Sequence, residues 1–210
     1  RATRNESVSS PLLHLRPVRH NILPRVSPQN NKKGENPMRN ILVVVDMQND
    51  FIDGSLGTKE AQAIVDNVAA EIANYDPADI FATRDTHPEN YLDTQEGKNL
   101  PVVHCVKNTK GWEINEKIAK ALNNAEIIDK PTFGSKILAE KIAAIAEKED
   151  IEVTLIGLCT DICVVSNALL MKAYVPEIPV RVIASCCAGV TPESHEAALK
   201  TMAMCQVKVC

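Results

Sequence analysis

The chain has 210 residues, 45% of them hydrophobic, and a formal net charge of −4, which suits one soluble domain with a sizeable core. No apolar run reaches the length of a membrane span, and outside residues 1–37, which carry seven Lys/Arg against Glu6 and Glu35, the chain is acidic, which argues against binding nucleic-acid phosphates as its main task. The seven cysteines lie mostly inside apolar runs such as "PVVHC" and "VIASCC", as reduced thiols of a cytoplasmic protein do, and they have neither the look of a secreted disulfide framework nor zinc-finger spacing.

In chain order, residues 1–37 hold five of the twelve prolines, four serines and no sustained apolar period. They are expected to form a disordered extension ahead of a domain at 38–210. Their Arg-rich, acid-poor composition also resembles an organelle transit peptide, but Met38, immediately before the first apolar run, favours an upstream extension or leader.

From residue 38 the pattern alternates. "ILVVVD" at 41–46 is a continuous β-branched run, a strand buried on both faces. Residues 58–75 place Ala61, Ile64, Val65, Val68 and Ile72 on one helical stripe. Strands are expected at 79–85, 101–105 and 125–129, with a short helix over 112–122 between the last two. A helix over 135–148 turns Leu138, Ile142 and Ile145 inward. A fifth strand at 152–158 runs into a helix holding Cys163, and a sixth covers 180–185. The last helix spans 192–204, with Pro192 in a favourable first-turn position, and "QVKV" can add a short final strand. Strand–helix alternation implies a mainly parallel sheet with helices on both faces, a three-layer αβα fold.

In such sheets ligands bind beyond the carboxyl ends of the strands. Asp46 lies there after the first strand, Asp85 and His87 after the second, His104 in the third, Lys130 after the fourth and Cys163 after the fifth. Topology thus gathers a base, three possible metal ligands, a cation and a thiol on one rim. No G-x-G-x-x-G follows a strand and there is no G-x-x-x-x-G-K-[ST], so dinucleotide and P-loop readings fail.

The blocks "VVVDMQNDF", "DKPTF" and "GLCTDICV", in this order, resemble those of the isochorismatase-like cysteine hydrolases, a superfamily that includes nicotinamidases. The resemblance covers residues 39–209. It implies a Rossmann-like six-stranded sheet and an Asp–Lys–Cys triad at Asp46, Lys130 and Cys163. It also implies a non-proline cis peptide between Leu158 and Cys159, so that the backbone N–H groups of Cys159 and Cys163 form an oxyanion hole. "TRDTHPENYL" followed by "VVHC" resembles the nicotinamidase metal block and gives Asp85, His87 and His104, with Glu96 as a spare ligand. The resemblance further implies a homo-oligomer.

The chemistry of these residue types agrees, with a bland alternative at each. Cys163 beside a cation and a helix N-terminus is favoured as thiolate; the alternative is a buried structural thiol. Asp46, ending an apolar strand, suits a general base or a loop cap. Lys130 favours the ionised forms of both, or is a solvated strand-end lysine. Asp85, His87 and His104 suit one divalent ion, Zn²⁺, Fe²⁺ or Mn²⁺, or else ordinary turn chemistry. Phe51 and Phe133 wall an aromatic pocket or belong to the core, and Gln48, assigned to the same pocket, orients the first-strand loop together with Asp50.

The expected function is a metal-containing amidohydrolase acting on nicotinamide or a close small-molecule carboxamide, with no nucleic-acid or membrane partner. The alternatives are another amide, carbamoyl or enol-ether hydrolase of the superfamily, and a catalytically silent binding or scaffold member.

Overall fold

The computed structural model describes residues 38–210; the expected extension at 1–37 lies outside the described residues. The order of elements is β1 (Arg39–Val45), α1 (Asn49–Ile52), α2 (Lys59–Ile72), β2 (Ile80–Asp85), α3 (Gln95–Asn99), α4 (Glu116–Leu122), β3 (Glu126–Lys130), α5 (Lys136–Ala146), β4 (Ile151–Leu158), α6 (Val165–Tyr174), β5 (Val180–Ala188), α7 (Pro192–Met204) and β6 (Lys208–Val209).

The six strands form one sheet in the order β3-β2-β1-β4-β5-β6, and every adjacent pair is parallel. Period-two alternation explains why "ILVVV" is apolar throughout. Ile41, Val43 and Val45 pack with Leu138 and Ile142 of α5, Ala168 of α6 and Leu199 of α7. Leu42 and Val44 pack on the other face with Ile64 and Val68 of α2 and Ile118 of α4. A strand that must bury both faces has no room for polar alternation.

The chain direction across the sheet reverses between β1 and β4: β2 and β3 lie on one side of β1, β5 and β6 beyond β4. The crevice of such a sheet opens at that switch point, beyond the strand carboxyl ends. Asp46 follows β1 there, and a π-helical turn, Thr160–Val164, follows β4 and leads into α6. Gly157 has φ 116°, and a Cβ there would run into the Val45 carbonyl, so only glycine lets β4 lie against β1 at this point.

Three expectations need correction. Residues 101–105 do not join the sheet; among the described residues the nearest isolated bridge, His87 to Val106, falls just beyond them. Side chains take the groups a ladder would need: Asp50 Oδ2 accepts the Cys105 N–H at 2.7 Å, and the Val102 carbonyl accepts from His104 Nδ1 at 2.8 Å. The sixth strand is instead the C-terminal pair Lys208–Val209, part of "QVKV". The helix expected over 112–122 starts at Glu116, because Asn115 caps it through the Lys117 N–H at 3.0 Å and Ile114 is drawn into a bridge with Gln48. Cys163 sits in the π-helical turn, ahead of the α-helix rather than within it.

Candidate active site

Lys130, the last residue of β3, is 1% exposed, and its ammonium group joins three others. Nζ lies 2.7 Å from Asp46 Oδ2, 3.4 Å from Asp85 Oδ1 and 3.4 Å from Cys163 Sγ. Asp46, Cys163 and Asp85 come from the ends of β1, the turn after β4 and β2. The sheet order alone brings them to one point.

Asp46 is fully buried and has φ 46°, a left-handed conformation in which Asp and Asn are enriched among non-glycine residues. Its Oδ1 accepts a hydrogen bond from the Thr83 hydroxyl at 2.7 Å. Its Oδ2 faces the Lys130 ammonium group at 2.7 Å. A carboxylate oxygen accepts more than one hydrogen bond, so Oδ2 beside Lys130 keeps acceptor capacity for a proton.

Lys130 pulls toward the expected thiolate, and burial pulls the other way. Burial pushes the Cys163 thiol well above its ordinary pKa; the Asp46 charge adds to this and Lys130 opposes it. Burial likewise raises the Asp46 carboxyl, again against Lys130. Burial would lower Lys130, but Asp46, the Cys163 sulfur and Asp85 together outweigh it and raise the ammonium's pKa. Burial and the Asp46 charge thus work against the thiolate, and Lys130 is the charged neighbour that favours the ionised forms of both Cys163 and Asp46.

Next to this group lie Asp85, His87, Glu96 and His104, whose ligand atoms all fall within 4.8 Å of one another. His87 Nε2 is 3.0 Å from Asp85 Oδ2 and 3.7 Å from Glu96 Oε1; His104 Nε2 is 3.7 Å and 3.8 Å from the same two oxygens. His104 Nδ1 donates to the Val102 carbonyl, which leaves Nε2 with its lone pair toward the cluster, the tautomer a metal ligand requires. Burial would raise Asp85, but the hydrogen bond from His87 and the charge of Lys130 outweigh it and hold the carboxyl below its ordinary value. Asp85 thus offers one oxygen to the cluster and the other to Lys130. Two imidazoles and two carboxylates converging on one point, with Lys130 as the nearest fixed cation, fit a divalent ion.

Both groups open onto one cavity of about 810 Å³, walled by Phe51, Leu56, Phe133, Ile162, Val190 and other residues, with Cys163, Asp85, His87, Glu96 and His104 at its polar end. Phe51 is buried and Phe133 half exposed. Gln48 does not reach this wall: it is fully buried, and its amide is spent on the Asp85 and Trp112 backbone. The Leu158–Cys159 peptide is cis, and Cys159 lines the cavity beside Cys163.

Sequence reasoning missed three residues. Thr83 holds Asp46, and its signal was a lone hydroxyl in the apolar strand "IFATRD". Asn167 is fully buried; it donates to the Cys163 carbonyl at 2.8 Å and accepts the Ser135 N–H at 2.9 Å, tying the turn after β4 to the loop bearing Phe133. A polar residue one turn after Cys163 was the available signal. Tyr91 is fully buried, with its ring 4.7 Å from that of His87 and 4.9 Å from that of His104 and its hydroxyl donating to the Leu100 carbonyl at 2.9 Å. Nothing in the sequence distinguished it from an ordinary loop tyrosine.

A doubly wound parallel sheet with a thiol, a lysine and a carboxylate at its switch point defines the class: an α/β protein with a buried cysteine centre. The chain belongs to the isochorismatase family, whose domain model matches residues 40–210. It is similar to the nicotinamidase of Saccharomyces cerevisiae, 32% identical over 120 residues that cover 42% of this chain and 55% of that enzyme. It is 26% identical over 209 residues to the nicotinamidase of Schizosaccharomyces pombe, covering 80% and 91% of the two chains. Among solved structures it resembles the pyrazinamidase of Pyrococcus horikoshii in complex with zinc, with 29% identity, a TM-score of 0.67 and coverage of 82% and 98%.

Proposed function

We propose that the protein is a metal-containing cysteine amidohydrolase that converts nicotinamide and water to nicotinate and ammonia. The observation that carries the reading is Lys130, whose ammonium group touches the thiol, its base and one metal ligand at once. The similarity to two curated nicotinamidases and to a zinc-bound pyrazinamidase supports the substrate class.

Asp85, His87 and His104 would hold the ion, with Glu96 as a fourth ligand. When bound, a Zn²⁺, Fe²⁺ or Mn²⁺ ion supplies a Lewis-acid anchor for the pyridine nitrogen of the substrate. Phe51 and Phe133 flank the ring, and the carboxamide lies over Cys163. As the sulfur attacks the carbonyl carbon, Asp46 takes the thiol proton on Oδ2. Lys130 keeps Asp46 ionised and stabilises the developing anionic sulfur. The Cys159 and Cys163 N–H groups face the oxyanion. Asp46 returns its proton to the departing amine, ammonia leaves, and a thioester remains on Cys163. Water, deprotonated by Asp46, cleaves the thioester to nicotinate and frees the thiol. The seven unpaired cysteines suit a reducing, cytoplasmic setting.

Ammonia release from nicotinamide, measured with and without chelator, tests the reading; no release from the metal-replete protein defeats it. Benzamide, which lacks the ring nitrogen, is expected to be a poor substrate with or without metal. The double substitution His87→Ala/His104→Ala is expected to release the ion and raise KM for nicotinamide about 100-fold or more, because losing the ligands themselves costs more than the roughly 10–100-fold of losing a group that only orients one. Cys163 should remain open to iodoacetamide in that protein. Unchanged KM would send the search to a metal-independent amide or carbamoyl substrate.

Lys130→Met removes the cation that favours both anions. The thiol pKa is expected to rise further above its ordinary value, and the Asp46 pKa with it. The alkylation rate of Cys163 against pH reads this directly: the curve should move to higher pH, and an unmoved curve contradicts the role given to Lys130.

A further inference from the structure

Gln48 and Asp50 take no part in the chemistry above, yet both end on the backbone that carries the metal cluster. The Gln48 Oε1 accepts the Asp85 N–H at 2.7 Å. Its Nε2 donates to the Asp85 carbonyl at 2.8 Å and to the Trp112 carbonyl at 2.9 Å. One side-chain amide thus grips both backbone groups of Asp85 as a neighbouring strand would, at a point where β2 has run out of ladder on that side.

Asp50 acts on the other half of the cluster. Its Oδ2 accepts the Cys105 N–H at 2.7 Å, one residue beyond His104. Cys105 has φ 45°, a conformation that a non-glycine residue keeps only where its surroundings impose it. The Asp50 N–H donates to the Gly111 carbonyl at 3.0 Å, and a Cβ on Gly111 would collide with the Asp50 carboxylate. That close approach holds the carboxylate against Cys105. Asp85 and His104 stand on segments joined, near the cluster, by the single His87–Val106 bridge, so the separation of their ligand atoms depends on what grips each segment from behind.

We propose that Gln48 and Asp50 are positioning residues that together set the spacing between Asp85 and His104. The segment after β1, α1 included, then has two duties: it presents Asp46 to the thiol and holds the two halves of the metal cluster in register beside it. This rests on the metal reading above. Groups that orient metal ligands from behind change metal affinity by about 10–100-fold, so the effect is large enough to measure.

Zinc affinity of the full chain, read by competition with a chromophoric chelator, tests the proposal. Gln48→Glu keeps the shape but loses both N–H donations, and Asp50→Ala loses the acceptor; each is expected to bind zinc about tenfold or more weakly than wild type. Asp50→Asn retains an acceptor oxygen for the Cys105 N–H and should restore affinity to within about threefold of wild type. In chelator-treated protein, iodoacetamide labelling of Cys163, followed by mass spectrometry, should be unchanged in Asp50→Ala. Wild-type zinc affinity in Gln48→Glu and Asp50→Ala overturns the proposal. So does a parallel loss of zinc binding and Cys163 labelling, which marks a general collapse of the site. If Gln48→Glu does not fold, the Asp50 pair decides alone. A wild-type protein that binds no zinc refutes the metal reading first, and that outcome is separate from a wild type that binds zinc while its variants bind it equally well.

Discussion

Cys163→Ala abolishes turnover: the expected fall is about four orders of magnitude or more, the scale on which loss of a nucleophile is felt when the remaining groups act as a unit with it. The fold should survive. The substitution removes one buried sulfur from the turn Thr160–Val164, while the backbone bonds of that turn and the Asn167 contact to the residue-163 carbonyl involve main-chain atoms that alanine keeps. Lys130 also keeps its partners Asp46 and Asp85. Ammonia release and a thermal melt, measured together, check this; appreciable activity in a folded Cys163→Ala protein removes the thiol mechanism. Cys159→Ala is the matched control. The role proposed for Cys159 uses its N–H, which alanine retains, so activity within about tenfold of wild type is expected.

Asp46→Asn is expected to lower kcat by about 10²–10⁴-fold, the usual range for a general base. Asparagine tolerates the left-handed backbone of residue 46 and offers an oxygen to the Thr83 hydroxyl, so the shape of the site holds while the base is lost. The pH profile supplies a second reading. Asp46 works as a carboxylate, and burial raises its pKa. The acid limb of kcat/KM should therefore lie above the ordinary aspartate value of about 3.9, with activity lost as pH falls through the raised pKa. That limb should vanish in Asp46→Asn. A variant with near-normal rate and an unchanged acid limb contradicts the assignment of Asp46 as base.

Much of the fold was legible because its signals are local. The run "ILVVV" could only be a strand with two buried faces, and the Ala61–Ile64–Val68–Ile72 stripe gave the helix that covers one of them. The segment "PVVHC" looked equally convincing as a strand and is not one, because an Asp50 carboxylate and a His104 ring intercept its backbone groups. The Asp50 competitor lies outside any local window, 55 positions from Cys105.

The residue types of the candidate site were also readable. Asp46, Lys130, Cys163, Asp85, His87 and His104 were placed on one rim by topology, and the structure brings them together with Glu96. What the sequence determined by itself is the set of strands and helices with a two-residue or 3.6-residue period, and the identity of chemical groups at strand ends. Both depend only on near neighbours along the chain. The tertiary structure alone decided that Lys130 touches three partners, that Thr83 and Asn167 brace the reacting groups, that Gln48 faces Asp85 instead of the cavity, and that burial pushes the Cys163 thiol up. Each of these depends on through-space distances of a few ångströms and on exclusion of water, which arise only when the sheet order folds β1, β2, β3 and β4 onto one crevice.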